Sequence, residues 1–320
     1  MKIGVAGAGA FGTALAITIG LDGRQVILWA RDQATVQTMR ETRQSPRLAG
    51  KTIPGTVHPT DDIDRLAGCD VVLLAMPAQA IGGFLAANAN WLAGKRLVAC
   101  CKGIDIETMR GPSQSIESLV PDAVVATLTG PSFAADIASG LPTALTLACA
   151  DDSEGAYLQS ALSTATLRLY RTTDVVGSEL GGALKNVMAI ACGACIGAGL
   201  GESARAALLT RGFAEMQRLA LSNGARPETL MGLSGLGDLA LTCTSDLSRN
   251  YQFGLSIGRG EDFDPSVTVE GAKTAIAVTK LAKRDGLELP ISFVVADLVG
   301  RNITVEEALR QLLSRPLKEE

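Results

Sequence analysis

Lys185 lies in Gly181-Gly182-Ala183-Leu184-Lys185-Asn186, an amine among small and apolar neighbours. A lysine desolvated in such surroundings, or held near another cation, has a lowered pKa and exchanges protons near neutrality. A surface lysine ending a helical turn is the alternative. Asp238 is pinned in Gly235-Leu236-Gly237-Asp238-Leu239, where its carboxylate suits orienting an ammonium or a substrate hydroxyl, or capping a helix. Ser248-Arg249-Asn250 sets a hydroxyl, a guanidinium and an amide in a row. That set suits a phosphate or carboxylate at a helix N-terminus, and a plain capped helix start would use the same residues. Lys102, following an apolar run and preceding Gly103, adds another positive group. Glu270-Gly271 and Pro131-Ser132-Phe133 are turn–helix joints that carry little alone.

Other chemistries are excluded or weakened. The one histidine, His58, lies between Val57 and Pro59 in a turn-rich stretch and reads as exposed and inert. A single histidine rules out multi-His zinc sites and any Ser-His-Asp triad that does not use it, so no metal is expected. Cys192-Gly193-Ala194-Cys195 has the C-x-x-C spacing without a second pair, and its surroundings read as a small-residue helix. Seven cysteines, an odd number without small-scaffold spacing, read as reduced thiols of a cytoplasmic protein. A net charge of −4 and 4% aromatics argue against nucleic acid or an anionic membrane as the main partner.

The elements that must position these groups begin with an uncharged run over residues 3–21. It superficially resembles a signal peptide or membrane span, but Gly7, Gly9, Gly12 and Gly20 interrupt it. It parses better as strand 3–6, a Gly7-Ala8-Gly9-Ala10-Phe11-Gly12 turn, and a helix, followed by strand 26–29. This is the context that a G-x-G-x-x-G dinucleotide fingerprint requires. Gly7 makes the tight turn, Gly9 lets backbone approach a pyrophosphate, and Gly12 lets helix pack on strand. Strand 26–29 ends at Trp29-Ala30-Arg31-Asp32. Arg31 suits the 2′-phosphate of NADP and Asp32 the ribose hydroxyl of NAD, so both cofactors stay open.

Apolar runs at 71–75, 97–100, 124–128, 143–148 and 167–170 predict further strands alternating with helices, hence a doubly wound α/β sheet. Ligands on such sheets sit at the carboxyl ends of the strands, where Pro77, Lys102 and Gly130 fall. After about residue 172 strand patterns stop. Asp174 is placed to cap a helix from Val175, and 204–222, 274–285 and 306–313 also read as helices. Uncharged residues 187–200 are too few to span a bilayer, which needs about 20. The expectation is a Rossmann-type domain over 1–172 followed by an all-α substrate-binding domain over 173–320.

Taken together, the chain resembles the bacterial NAD(P)-dependent glycerol-3-phosphate dehydrogenase family. The resemblance rests on 7–16, 128–134 with 140–144, 179–186, 209–212, 235–239 and 242–250. It implies reversible hydride transfer between dihydroxyacetone phosphate and sn-glycerol 3-phosphate, feeding phospholipid synthesis, in a cytoplasmic homodimer. It further implies that Lys185 is the catalytic proton donor and acceptor. Lys102, Asp238, Ser248, Arg249 and Asn250 would join it in holding substrate. Gly7, Gly9, Ala10, Phe11, Gly12, Arg31, Lys102, Gly130, Ser132, Ala134, Arg249 and Glu270 would hold NADP or NAD. Two positions depart from the family pattern: Ala10 replaces a frequent Ser or Thr, and Ser203 replaces the Asn of an Asn-Ala-Arg run. The competing readings are a β-hydroxyacid or ketopantoate-type reductase, which would want Asn where Ala189 stands, and a non-catalytic NADP-binding regulator, which would be expected to lack Lys185 and Arg249.

Overall fold

A computed structural model describes residues 1–316 of the chain. Contacts divide it into two compact units: Met1–Lys102 with Arg110–Glu179, and Gly103–Met109 with the chain from Leu180 onward. Segment Gly103–Met109 thus groups with the second unit although it lies far upstream of residue 173. Residues 173–179 group with the first.

The first unit is built on strands β1 (Ile3–Ala6), β2 (Val26–Trp29), β3 (Gln44–Ser45), β4 (Leu48–Thr52), β5 (Val57–Thr60), β6 (Val71–Leu74), β7 (Arg96–Ala99), β8 (Val124–Thr129), β9 (Thr143–Cys149) and β10 (Leu167–Thr172). Eight of them form one sheet in the order β10-β9-β8-β7-β6-β1-β2-β5, and β3 pairs separately with β4. β1 and β6 are buried at every residue, which is why they read as unbroken apolar runs rather than alternating ones. Chain order reverses between β1 and β6, the switch point at which such sheets bind ligands. Because β7, β6, β1 and β2 run parallel, and β8 runs parallel to β7, their carboxyl ends share one edge. Gly7, Arg31, Pro77, Lys102 and Gly130 follow those strands and are brought to that edge.

Two features differ from the sequence expectation. The sheet is not parallel throughout, since β9 runs antiparallel to β8. An apolar run buried on both faces looks the same in either direction. His58 is not in a turn: it sits half-buried in edge strand β5, its Nε2 2.6 Å from Gln25 Oε1. The short β5 pattern is broken by Pro59, which an edge strand tolerates and a central strand does not.

The second unit is helical. The helix Val175–Gly197 begins in the first unit, with Asp174 Oδ1 accepting from Gly177 N at 2.8 Å. It is followed by Glu202–Ser222, Pro227–Met231, Asp238–Cys243, Arg249–Arg259, Glu270–Asp285, Pro290–Val299 and Val305–Leu313. Val175–Gly197 is long and apolar enough to cross a membrane, yet 83% of its apolar window is buried inside the protein. Its small residues have a packing reason. A Cβ on Gly193 would lie 2.1 Å from Tyr251 O, and one on Gly254 would lie 2.2 Å from Ile190 O. The two helices meet backbone to backbone, so their contact face admits only the smallest side chains.

Candidate functional site

Each unit carries its own set of candidate groups. In the first, Gly7 has φ +118° and Gly12 leaves no room for a side chain, since a Cβ there would lie 2.0 Å from Gly7 O. Gly9 is different: nothing lies within 4 Å of the position its Cβ would take. The turn is therefore tight at its first and third glycines and open at its second. The helix Ala10–Leu21, opened by Ala10 and Phe11, has Gly9 as N-cap and no side-chain cap. No side-chain acceptor among the described residues caps its first turn from the N-cap position, the arrangement that suits a pyrophosphate. These residues fit a dinucleotide.

At the same sheet edge Lys102 Nζ donates to Gly130 O at 3.1 Å, and the Ser132 hydroxyl donates to the same carbonyl at 3.3 Å. Gly130 has φ +140°, and Ala134 opens the short helix Ala134–Ala138. Arg31 is exposed after β2. Asp32 is the N-cap of the helix Gln33–Thr42, with Oδ2 accepting from Thr35 N at 2.8 Å.

In the second unit Lys185 is buried rather than at the surface. Its Nζ lies 3.1 Å from Asp238 Oδ1 and donates to Thr242 Oγ1 at 2.7 Å. The Thr242 hydroxyl in turn donates to Asp238 Oδ1 at 3.3 Å. Asp238 opens the helix Asp238–Cys243, preceded by a π-helical turn at Leu233–Gly237. That turn needs its glycine: a Cβ on Gly235 would lie 1.9 Å from Leu230 O. A Cβ on Gly181 would meet Ser234 O at 2.6 Å, so the Gly-rich start of the Lys185 segment lets the two backbones touch. Thr242 was not singled out from sequence. The available signal was its i+4 spacing from Asp238, which places both side chains on one helix face. Cys243 is buried next to this cluster, and burial pushes its thiol well above the ordinary range.

Ser248 is the N-cap of the helix Arg249–Arg259, its buried hydroxyl accepting from Tyr251 N at 3.2 Å. Arg249 is exposed at the first helical position. Asn250 is a stitch: its Nδ2 donates to Asn186 Oδ1 at 3.0 Å and its Oδ1 accepts from Gly271 N at 2.9 Å. It joins the helix carrying Lys185 to the start of the helix Glu270–Asp285, which Glu270 opens. Asn186, beside Lys185 in sequence, is drawn into this network without having been a candidate. Ser203 lies exposed in the first turn of Glu202–Ser222, and Arg205 Nη1 donates to the Tyr251 hydroxyl at 3.4 Å. Cys192 and Cys195 are buried on the small-residue helix. Among the described residues no cluster of three or more His, Cys, Asp or Glu side chains could hold a metal.

Besides the Asp174 cap, the buried carboxylates of Glu179 and Glu215 lie outside these sets. Glu179 accepts from Ser113 N at 2.7 Å and from the Ser113 hydroxyl at 3.0 Å. Burial pushes its carboxyl up to about 7 despite those donors, and the nearby acid Glu117 adds to the rise. Glu215 accepts from Ile291 N at 2.6 Å and from Ser292 N and Oγ at 3.1 and 3.0 Å, capping the helix Pro290–Val299. Burial raises its carboxyl too.

Comparison with known proteins identifies the family. The family described as NAD-dependent glycerol-3-phosphate dehydrogenase N-terminus matches residues 2–155, and its C-terminus counterpart matches 174–310. A Ruegeria protein named glycerol-3-phosphate dehydrogenase [NAD(P)+] is 59% identical, with all of both chains covered. A Brucella canis protein of the same name is 46% identical over all of this chain and 99% of its own. The crystal structure of glycerol-3-phosphate dehydrogenase from Coxiella burnetii superposes with a TM-score of 0.94 at 34% identity, covering 98% of this chain and 99% of that one. A ketopantoate reductase from Ralstonia eutropha, at TM-score 0.64 and 18% identity over 98% of this chain and 100% of its own, shares the fold alone. The chain belongs to the NAD-dependent glycerol-3-phosphate dehydrogenase family.

Proposed function

We propose that the chain interconverts dihydroxyacetone phosphate and sn-glycerol 3-phosphate with a nicotinamide dinucleotide as redox partner, and that Lys185 moves the proton. The observation that carries this reading is the buried Lys185–Asp238–Thr242 cluster in a chain of this family. When bound, the reduced nicotinamide supplies a hydride to the ketone carbon. Negative charge then develops on the C2 oxygen, and a neighbouring ammonium both stabilises that charge and delivers the proton. In the reverse direction the amine receives the proton of the secondary alcohol. Asp238 holds the Lys185 amine in place at 3.1 Å, and Thr242 braces both.

The phosphate is remote from the reacting carbon, so binding it positions the ketone without weakening the chemical step. Arg249, exposed at a helix start beside the Ser248 cap, suits that anchor. Lys102 and Asn250 are assigned to substrate as well. Asn250 does so with an amide already held by Asn186 and Gly271. Gly7, Gly9, Ala10, Phe11, Gly12, Arg31, Lys102, Gly130, Ser132, Ala134, Arg249 and Glu270 are assigned to the cofactor. We place the enzyme in the cytoplasm as a homodimer, the commonest closed assembly, with its product feeding glycerophospholipid synthesis. The negative net charge supports a small-molecule partner over nucleic acid.

Steady-state kinetics with dihydroxyacetone phosphate test the assignment. Lys185→Ala is expected to lower kcat by about a thousandfold while nicotinamide fluorescence reports unchanged cofactor binding. Normal turnover in that variant removes Lys185 from the chemistry.

A further inference from the structure

A recess of about 740 Å³ is lined by the helix Arg249–Arg259, the segment 260–269 that follows it, and the turn between Pro290–Val299 and Val305–Leu313. All of these belong to the second unit. The volume falls in the range of small-molecule sites, roughly 300–1,000 Å³. None of the residues assigned above to substrate, cofactor or proton transfer is among the described residues that line it. Phe253, Ile257, Phe263, Leu298, Ile303 and Val305 give the recess an apolar lining. The two phenylalanines meet edge to face, with ring centroids 5.2 Å apart. All of the six but Leu298 are half-buried, so this apolar surface stays open to a ligand rather than closing into the core.

The charge around this lining is one-sided. Glu261, Asp262, Asp264 and Glu307 line the same recess and are exposed, against a single guanidinium, Arg301. Two of these carboxylates brace local backbone with one oxygen each. Asp264 Oδ1 accepts from Ser266 N at 2.9 Å, and Glu307 Oε2 accepts from Thr304 N at 2.8 Å. Neither bond supplies a countercharge. Arg301 lies 3.5 Å from Asp262, with the two side chains 85% and 100% exposed. Glu261 and Arg259 approach to 3.9 Å, likewise at the surface. Pairs so fully solvated contribute little, and an incoming cation can replace them at small cost.

We propose that this recess is a second ligand site, one that takes a small amphipathic cation: an apolar chain or ring carrying an ammonium group. The lining removes the hydrocarbon from water, and the carboxylates face the ammonium. The same hydrocarbon carrying a carboxylate would set like charges together.

Calorimetry on the full chain tests this without turnover, so its failure is distinct from failure of the proposed reaction. The probes are n-octylammonium, n-butylammonium, octanoate and spermine. n-Octylammonium is expected to bind once per chain and more weakly as salt rises. From butyl to octyl, affinity should grow by up to about fourfold per added methylene. Octanoate keeps the hydrocarbon with the opposite charge, and spermine keeps positive charge without a free hydrocarbon end. Each should bind at least about tenfold more weakly than n-octylammonium. The surface variant Glu261→Gln with Asp262→Asn and Asp264→Asn keeps an acceptor for Ser266 N. It should weaken n-octylammonium by about tenfold and leave octanoate no weaker. Val267→Trp, which fills the recess from its exposed segment, should weaken both, with circular dichroism confirming that each variant is folded. Equal binding of octanoate and n-octylammonium overturns the proposal, as does a lack of saturable binding or undiminished binding in the charge variant. So does an affinity that falls as protein concentration rises, which gives the recess to a second copy of the chain.

Discussion

Asp238 in the helical unit and Glu179 in the sheet unit are both buried acids, satisfied in opposite ways. Asp238 faces the Lys185 amine at 3.1 Å and a threonine hydroxyl at 3.3 Å. Glu179 faces the backbone N–H and hydroxyl of Ser113, and the charged neighbour that influences it is another acid, Glu117. An ionised carboxylate away from water is costly unless a cation and hydrogen bonds compensate it. Without a cation, Glu179 is pushed up to about 7. The contrast shows that this fold tolerates a buried acid on neutral donors alone. A buried ion pair contributes little net stability relative to packed apolar groups, so holding an ammonium against Asp238 calls for a reason other than stability. The proton transfer proposed for Lys185 would supply one.

The largest expected effect breaks the pair itself. Lys185→Ala should leave Asp238 buried without its cation and destabilise the fold by about 3–5 kcal/mol. The double variant Lys185→Met with Asp238→Leu should recover most of that loss in a denaturant titration while turnover stays about as low as in the single variant. If the double variant is as unstable as the single, the pair is structural and the contrast with Glu179 fails.

Glu179 yields the next effect, and its sign follows from linkage. Its carboxyl is raised in the folded chain from an ordinary 4.5 to about 7. Below pH 4.5 folded and unfolded chains both hold the proton. Between 4.5 and 7 the folded chain holds a proton that the unfolded chain has released, so stability falls as pH rises. Above 7 the loss is complete, at most roughly 3 kcal/mol. Glu179→Gln removes this dependence. Its stability relative to the unaltered chain should improve from pH 5 to pH 8, and a difference that stays constant with pH would contradict the assigned burial effect.

Legibility from sequence followed the same divide. The nucleotide turn was readable because its requirements are local: Gly7, Gly9 and Gly12 serve one turn within a single strand–helix unit. Strand β5 was missed because Pro59 masks a short edge strand. The antiparallel step at β9 was invisible because a doubly buried run carries no direction. Lys185 and Asp238 were each conspicuous, but their meeting depends on Gly181 and Gly235 letting two distant backbones touch, a contact that no periodicity encodes. Thr242 and Asn186 were passed over for the same reason. A threonine beside a cysteine and an asparagine beside a lysine become informative only when their partners, Asp238 and Asn250, are in place. The glutamate cap on Pro290–Val299 likewise comes from Glu215, on a separate helix.

The smallest effect sharpens the comparison by removing one neutral donor from each acid. Thr242→Val keeps the shape and deletes the hydroxyl that accepts from Lys185 and donates to Asp238. A hydrogen bond to a charged group is worth about 1.5–3 kcal/mol and the hydroxyl makes two, only part of which bears on the chemical step, so kcat should fall by no more than about a hundredfold. Thr242→Ser, which restores the hydroxyl, should recover most of the loss. Ser113→Ala deletes the hydroxyl from Glu179 but leaves the backbone N–H at 2.7 Å. It should raise the Glu179 carboxyl further and extend the fall of stability to higher pH, because one donor to the ionised form is gone. It should leave kcat unchanged. One donor is thus read by turnover and the other by stability alone. If Ser113→Ala slows the reaction as much as Thr242→Val, the acid without a cation is doing chemistry too, and the two regions do not differ in the way their charges imply.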